Sequence, residues 1–353
     1  MFKKRTLILV ALLMVSACAN QRYTYEDYQY RQPSYEQSIH GTSVLESITI
    51  DPQIKTKILN LDAENVSTTD IQETLSQTPA PRVINLHGGI YPVHLSMKSF
   101  SEFLIAMGYP EEKIRGPEGG YYSISCYENS YNLAGLMAWY YEKEAMRPMI
   151  IGHSQGGTQA VKVLQKLDSD NTRIRPYNPI TESREDRYTI INPYSGQAVP
   201  VNSVSLSYVS ALSSGGLARL LPNQWMMNGR LRSIPDSVDD FTGFYKGMDP
   251  LGGDWLGYGR GNRYKSKGSA KVRNIKLPTY YSHGEIPDTI SLAQNPEAQA
   301  WVNNYRPSGQ AFEAFKADKS LPANILWAAD VWYSIKKHWV LEAQRLITAQ
   351  EEL

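Results

Sequence analysis

A short apolar run that leads directly into a glycine-rich turn is the feature that most constrains the fold of this chain. Residues Pro148 to Ile151 are β-prone, and the sequence GHSQGG follows without a break at residues 152–157. Apolar residues then recur at helical spacing from Ala160 to Leu167. This order of strand, tight turn and amphipathic helix predicts that Ser154 lies exposed at the end of a buried strand.

A second β-prone run, from Arg82 to Leu86, ends abruptly at the sequence HGG, residues 87–89. Short apolar runs bounded by glycine are typical of buried strands that enter tight loops. Elsewhere, the sequence patterns predict buried strands at residues 204–209, 275–282 and 324–329, and helices at residues 97–107, 129–145, 292–305 and 339–350. Alternating strands and helices predict an α/β fold, with a mainly parallel central sheet flanked by helices.

The first 17 residues have the composition of an export signal. Three basic residues at positions 3–5 precede an apolar stretch from Thr6 to Val15, and small residues then lead to Cys18. A charged start, a short apolar segment and small residues in this order are typical of a secretory signal peptide. The apolar stretch is about half as long as the roughly 20 residues that a membrane-spanning helix needs. We therefore expect the chain to be exported.

The sequence Val15-Ser16-Ala17-Cys18 resembles the lipobox of bacterial lipoproteins. The resemblance implies cleavage before Cys18, acylation of that cysteine and attachment to a membrane of the bacterial cell envelope through the lipid. Ala19 stands where an Asp would mark retention in the inner membrane, which favours the outer membrane on its periplasmic side. The alternative is an ordinary signal peptide with an incidental cysteine, which would leave a soluble exported protein.

The exported chain is expected to consist of a tether and one large domain. Residues 18–47 are polar and rich in tyrosine, without a sustained helical or strand period, so they are interpreted as a tether. Residues 48–353 are expected to form the folded domain. At about residues 169–270 the chain is longer than a crossover between strands requires, which predicts an inserted lid or cap.

The sequence GHSQG at residues 152–156 fits the pattern GxSxG and, with its flanking strand and helix, resembles the nucleophile elbow of the α/β-hydrolase family of lipases and esterases. The likeness extends from about Arg82 to the C-terminus. It implies the α/β-hydrolase fold with Ser154 as the catalytic nucleophile. It also implies an oxyanion hole formed by the backbone N–H groups of Gly89 and Gln155, with His87 holding the first loop through a hydrogen bond. A bare GxSxG pattern can arise by chance, but here the strand, the helix and the HGG sequence accompany it in the required order.

The catalytic base is expected later in the chain, because the family order is Ser, then acid, then His. Outside the elbow, only His283 and His338 follow Ser154. His338 falls between a predicted final strand and the final helix, where the family places its base, so His338 is the predicted base. If His283 were the base instead, Asp249 or Asp254 would have to be the acid.

The predicted acid is Asp288, with Asp330 and Glu285 as alternatives. The run at residues 274–285 resembles the penultimate strand of these enzymes, which ends in a glycine with an Asp a few residues further on. Pro287 shifts Asp288 one position later than the usual spacing. The acids that are not used for catalysis would be solvated loop carboxylates.

Charge and motif content exclude several other classes of function. The chain of 353 residues has 36 Lys+Arg against 35 Asp+Glu, so no excess of positive charge favours nucleic acid as a partner. No clustered Cys/His spacing indicates a metal site, no GxxxxGK[ST] loop indicates a nucleotide site, and the expected chemistry needs no cofactor.

The sequence thus predicts a serine hydrolase that cleaves carboxylic esters through an acyl-enzyme intermediate. The expected substrate is an ester-containing small molecule, a lipid or an acylated glycan. Two alternatives stay open: an acyltransferase or amidase that uses the same triad, and a non-catalytic envelope lipoprotein that uses the scaffold for binding.

Overall fold

A computed structural model describes residues 44–89, 91–170, 173–214, 229–252, 254, 262–279, 282–308, 322 and 324–353. The predicted signal peptide, Cys18 and most of the predicted tether lie outside the described residues. So does much of the predicted lid, including the apolar stretches at residues 217–221 and 225–227. None of the described helices is both long enough and apolar enough to cross a membrane.

A six-stranded parallel sheet forms the centre of the protein. Its strands are β1 (Val83–His87), β2 (Ile124–Ser125), β3 (Met149–His153), β8 (Leu206–Leu212), β10 (Val238–Lys246) and β12 (Lys271–Leu277). They are arranged in the order β12-β10-β8-β3-β1-β2. The chain moves from β1 to β2 on one side and then to β3 on the other side, so the direction of the strand order changes between β1 and β3.

The other strands in the described part of the chain form three small two-stranded pairs. These are the antiparallel pairs β4 (Tyr177–Asn178) with β5 (Ser183–Arg184) and β6 (Thr189–Ile191) with β7 (Ala198–Pro200), and the parallel pair β9 (Ser233–Ile234) with β11 (Lys265–Ser266). The helices are α1 (Val44–Ser47), α2 (Pro52–Leu59), α3 (Thr68–Glu73), α4 (Tyr91–Ala106), α5 (Ser130–Glu144), α6 (Gln155–Leu167), α7 (Ile290–Gln294), α8 (Pro296–Asn304) and α9 (Ile325–Glu351).

Successive side chains of each strand point to opposite sides of the sheet. Both sides are buried against helices. In β3, Met149 and Ile151 belong to a core built with α4 and α9, whereas Ile150 belongs to a second core built with α5 and α6. Tyr208 and Val209 of β8 divide between the two cores in the same way. The structure therefore confirms the predicted α/β class with a parallel central sheet between helical layers.

The strand predicted at residues 324–329 is wrong. These residues begin α9, a helix of 27 residues that also contains the predicted final helix at 339–350. The first eleven residues of α9, from Ile325 to Ile335, are all buried. A short apolar run without a polar side has no readable period, so a buried helix and a buried strand look alike in sequence.

The predicted insertion at about residues 169–270 is not a single segment outside the sheet. It contains the central strands β8 and β10, and only β8 coincides with a predicted strand. The sequence of β10, VDDFTGFYK, carries two acidic residues and a glycine, which weaken its resemblance to a buried strand.

The two ends of the described chain are joined. The side-chain amide of Gln350, in the last turn of α9, donates hydrogen bonds to the carbonyl oxygens of Leu45 and Ile48, each at 2.7 Å. Leu45 lies within the predicted tether, yet its side chain is buried in the core against the sheet. The folded domain thus includes at least residues 44–47.

Candidate active site

Ser154 lies on a strained turn between β3 and α6. Its φ and ψ are 56° and −128°, a combination that a residue with a side chain rarely adopts and that costs on the order of 1–3 kcal/mol. The turn fits only because glycines surround it. A Cβ atom on Gly152 would lie 2.6 Å from the carbonyl oxygen of Gly156, and one on Gly156 would lie 2.2 Å from the carbonyl oxygen of Leu86.

The strained turn is fixed to the neighbouring strand. The Ser154 N–H donates to the carbonyl oxygen of Leu212, at the end of β8, at 2.8 Å. Ser154 therefore lies at the carboxyl ends of the central strands, beside the position where the strand order changes direction. In open parallel sheets, ligands bind in the crevice that forms at this position.

His283 and Asp249 complete a chain of contacts that starts at Ser154. The His283 Nε2 atom lies 2.8 Å from Ser154 Oγ, and its Nδ1 atom lies 2.9 Å and 3.1 Å from the two carboxylate oxygens of Asp249. Asp249 follows β10 and His283 follows β12, so both residues come from the same edge of the sheet as Ser154. Their order in the chain is Ser, Asp, His.

The environment of Asp249 keeps its carboxyl group ionised. Burial by itself would raise the pKa of Asp249, but the hydrogen bond to His283, the Gly252 N–H at 3.0 Å and the nearby Lys246 ammonium lower it more strongly. An ionised carboxylate can only accept hydrogen bonds, so the proton of the His283 imidazole lies on Nδ1. This arrangement leaves Nε2 able to accept the proton of Ser154.

The predicted oxyanion loop lies directly against the nucleophile. A Cβ atom on Gly88 would lie 2.7 Å from Cβ of Ser154, and one on Gly89 would lie 2.6 Å from the Tyr127 hydroxyl and 3.0 Å from Oε1 of Gln155. Gln155 is the first residue of α6, where a backbone N–H has no acceptor within the helix. Gln155 follows Ser154 directly, and Gly89 lies beside the Gln155 side chain.

His87 is the last residue of β1 and directly precedes the two glycines of the predicted oxyanion loop. Its Nδ1 atom lies 2.9 Å from the Ser123 hydroxyl. Burial, together with the neighbouring His94, lowers the pKa of His87 to about 4. The His87 imidazole is therefore neutral near pH 7, and its role in holding the predicted oxyanion loop stays a prediction.

The structure does not bring the predicted base, His338, to Ser154. His338 lies inside α9, and its Nε2 atom contacts a carboxylate oxygen of Asp240 at 3.1 Å. Asp240 pairs with Tyr208, which in turn pairs with Met149, four residues before the end of β3. That separation along the strand is roughly 13 Å, so His338 lies toward the amino end of the sheet, and the imidazole beside Ser154 is that of His283.

The predicted acids also have other contacts. Asp288 accepts a hydrogen bond from the Ser99 hydroxyl at 2.6 Å. Asp330 is buried and forms an ion pair with Arg273 at 2.8 Å. Glu285 lies exposed in the turn that follows His283. None of these contacts involves an imidazole, and the carboxylate beside His283 is that of Asp249.

The pair of His283 with Asp249 or Asp254 was the alternative that the sequence left open. Asp254 is buried, and its backbone N–H donates to the carbonyl oxygen of Asp249 at 2.7 Å. The Asp249 carboxylate lies 2.9 Å from Nδ1 of His283. The missing signal was β10, because a strand ending at Lys246 would have placed Asp249 in a loop at the same edge of the sheet as Ser154.

No cluster of three or more His, Cys, Asp or Glu side chains in the described part of the chain is arranged to hold a metal ion. No family model matches the chain, and no curated protein sequence matches it. The geometry of the site is therefore the basis for any proposal about function.

Proposed function

We propose that this protein is a serine hydrolase of the α/β-hydrolase type that cleaves carboxylic esters. The single observation that carries the proposal is the continuous chain of contacts from Ser154 Oγ through His283 to Asp249. A nucleophile within hydrogen-bond distance of a base, which a third group orients, is the general arrangement for acyl transfer through a covalent intermediate.

In the proposed reaction, His283 Nε2 takes the proton of Ser154 as Oγ attacks the ester carbonyl. Asp249 holds the imidazole in the required tautomer and stabilises the imidazolium that forms. The carbonyl oxygen becomes an oxyanion beside the backbone N–H groups of Gly89 and Gln155, each of which would contribute about 3 kcal/mol to its stabilisation. His283 then protonates the leaving alcohol, and water releases the acyl group by the same steps.

We further propose that the enzyme acts in the bacterial cell envelope, attached to a membrane by lipid on Cys18. The support is the order of basic, apolar and small residues before Cys18. With Cys18→Ala, we expect the protein to move from the membrane pellet to the soluble fraction on cell fractionation, because the acyl chains are its anchor. Membrane association as tight as that of wild type would refute the anchor but not the hydrolase.

Labelling with a fluorophosphonate probe tests the proposed chemistry directly. The probe reacts with an activated serine, so we expect wild type to be labelled and the Ser154→Ala variant, checked for folding by circular dichroism, to stay unlabelled. Mass spectrometry of the labelled peptide should place the adduct on Ser154. A folded wild type that neither reacts nor hydrolyses p-nitrophenyl esters would favour the non-catalytic binding role.

The reaction class is tested next with fresh, unlabelled enzyme from a preparation that has been shown to react with the probe. Parallel assays with p-nitrophenyl esters, an anilide and an added alcohol separate esterase, amidase and acyltransferase activities. We expect ester hydrolysis to be the fastest of the three. Faster release from the anilide, or transfer to the alcohol in preference to water, would replace the esterase assignment while keeping the same triad.

A further inference from the structure

His153 precedes the nucleophile and has no role in the proton transfer described above. Its side chain is fully buried, and its Nε2 atom lies 2.9 Å from the backbone carbonyl oxygen of His283. The two imidazole rings lie 5.0 Å apart between centroids, tilted by 38°. The residue before the proposed nucleophile thus contacts the main chain of the proposed base directly.

The direction of this hydrogen bond follows from the acceptor. A carbonyl oxygen only accepts, so Nε2 of His153 carries the proton and donates it. Burial and the neighbouring His283 lower the pKa of His153 well below its ordinary value. His153 is therefore a neutral donor, and it holds the His283 main chain without placing a second positive charge beside the imidazolium that forms during catalysis.

The segment that contains His283 is also held by a side chain from α4. His283 follows β12 by six positions and lies in a turn, not in a regular element. The next carbonyl oxygen, that of Gly284, accepts a hydrogen bond from the Ser96 hydroxyl at 2.6 Å. Two consecutive carbonyl groups are thus fixed by side chains, one from the elbow and one from α4.

We infer that His153 is a positioning residue that fixes the backbone of His283 relative to Ser154. This inference rests on the proposed function, because it assigns His153 the task of keeping His283 Nε2 within reach of Ser154 Oγ. Both Ser154 and His283 are attached to His153. Ser154 follows it in the chain, and the His283 backbone accepts its hydrogen bond. The distance between nucleophile and base is then set by one short rigid unit.

Two substitutions of His153 distinguish a role as hydrogen-bond donor from a role in packing alone. His153→Met fills the buried position without an N–H group, whereas His153→Gln retains a donor at about the reach of Nε2. With a short p-nitrophenyl ester, we expect His153→Met to lower kcat by roughly 10- to 100-fold, as expected for a misplacement of about 1 Å. KM should change little, and His153→Gln should recover most of the lost kcat.

His338→Gln is the matched control, because it also removes a buried imidazole but lies away from Ser154. We expect its kcat to equal that of wild type. Equal losses of kcat in His153→Gln and His153→Met would overturn the donor role, as would wild-type kcat in His153→Met.

Hydrogen exchange gives a readout that does not depend on activity. We expect the backbone amides of residues 282–288 to exchange faster in His153→Met than in wild type and in His153→Gln. Unchanged exchange in that segment would overturn the inference even in an active enzyme. If wild type proves to lack hydrolase activity, faster exchange in His153→Met than in wild type would still support the contact, while the proposed function would be refuted.

Discussion

Two histidine–aspartate pairs lie near opposite ends of the central strands. His283 presents Nδ1 to Asp249 and leaves Nε2 at Ser154, at the carboxyl ends. His338 presents Nε2 to Asp240, and its Nδ1 atom has no hydrogen-bond partner among the described residues. The His338 ring is stacked on Tyr208, with the centroids 5.7 Å apart.

The two pairs differ in what lies beside them. The pair at the carboxyl ends lies beside the strained Ser154 and the glycine loop that follows β1. The pair at the amino ends joins α9 to β10, with its imidazole buried and its carboxylate partly exposed. Under the proposed function, the same two residue types support chemistry at one end of the sheet and packing at the other.

The largest expected difference comes from the same substitution in both histidines. His283→Gln removes the base, and we expect kcat for a p-nitrophenyl ester to fall by up to roughly a million-fold. His338→Gln should leave kcat within about twofold of wild type, because distant sites without shared partners act independently. Steady-state kinetics measure both values, and comparable losses in the two variants would remove the functional distinction between the pairs.

The two aspartates should differ by a smaller factor. In Asp249→Asn the amide can donate to Nδ1, which favours the wrong imidazole tautomer, so we expect a loss in kcat of about 10⁴-fold. Asp240→Asn should retain near-wild-type kcat, measured with the same ester. An active Asp249→Asn enzyme would return the acid position to Asp288, Asp330 or Glu285.

The pair at the amino ends should instead affect stability, and in a pH-dependent way. Burial alone would raise the pKa of Asp240, but the hydrogen bond from His338 and the ammonium of Lys337, at 3.0 Å, lower it more strongly. A lowered pKa in the folded state means that Asp240 stabilises the fold above the unfolded-state pKa of about 4, and that this contribution is lost as the pH falls further.

We therefore expect Asp240→Asn to lower the free energy of unfolding by about 1–3 kcal/mol at pH 7. The difference from wild type should shrink as the pH falls below about 4. Urea unfolding of both proteins at pH 7 and at about pH 3 measures it. A difference that stays constant over this range would show that the ionised form of Asp240 has no special role.

Sequence patterns that extend over only a few residues were enough to select Ser154, Gln155 and Gly89 for the candidate site. Ser154 and Gln155 are in one turn, and Gly89 ends a run that is recognisable from its own neighbours, so short-range spacing was enough. The sheet class followed from the same kind of pattern. Predicting these features required no knowledge of the tertiary arrangement.

The other half of the site depended on strands that were misjudged. The apolar residues after Asn324 suggested a last strand and so placed His338 after it, but they form a helix buried on all sides. The acidic residues in β10 hid the strand that carries Asp249. The predicted base and acid were chosen by the strand that precedes each of them. The false strand at residues 324–329 led to His338 instead of His283, and the missed strand β10 left Asp249 as an alternative to Asp288.

The hydrogen bonds from Gln350 to Leu45 and Ile48 join the last turn of α9 to the first described helix of the domain. If the protein is held by its N-terminus, a force applied at residue 44 acts on α1 and, through these hydrogen bonds, on α9. That helix supplies Trp327, Trp332 and Trp339 to the core on one face of the sheet. A pull on the anchor would therefore be resisted by the largest packed element of the domain before it reached the loops around Ser154.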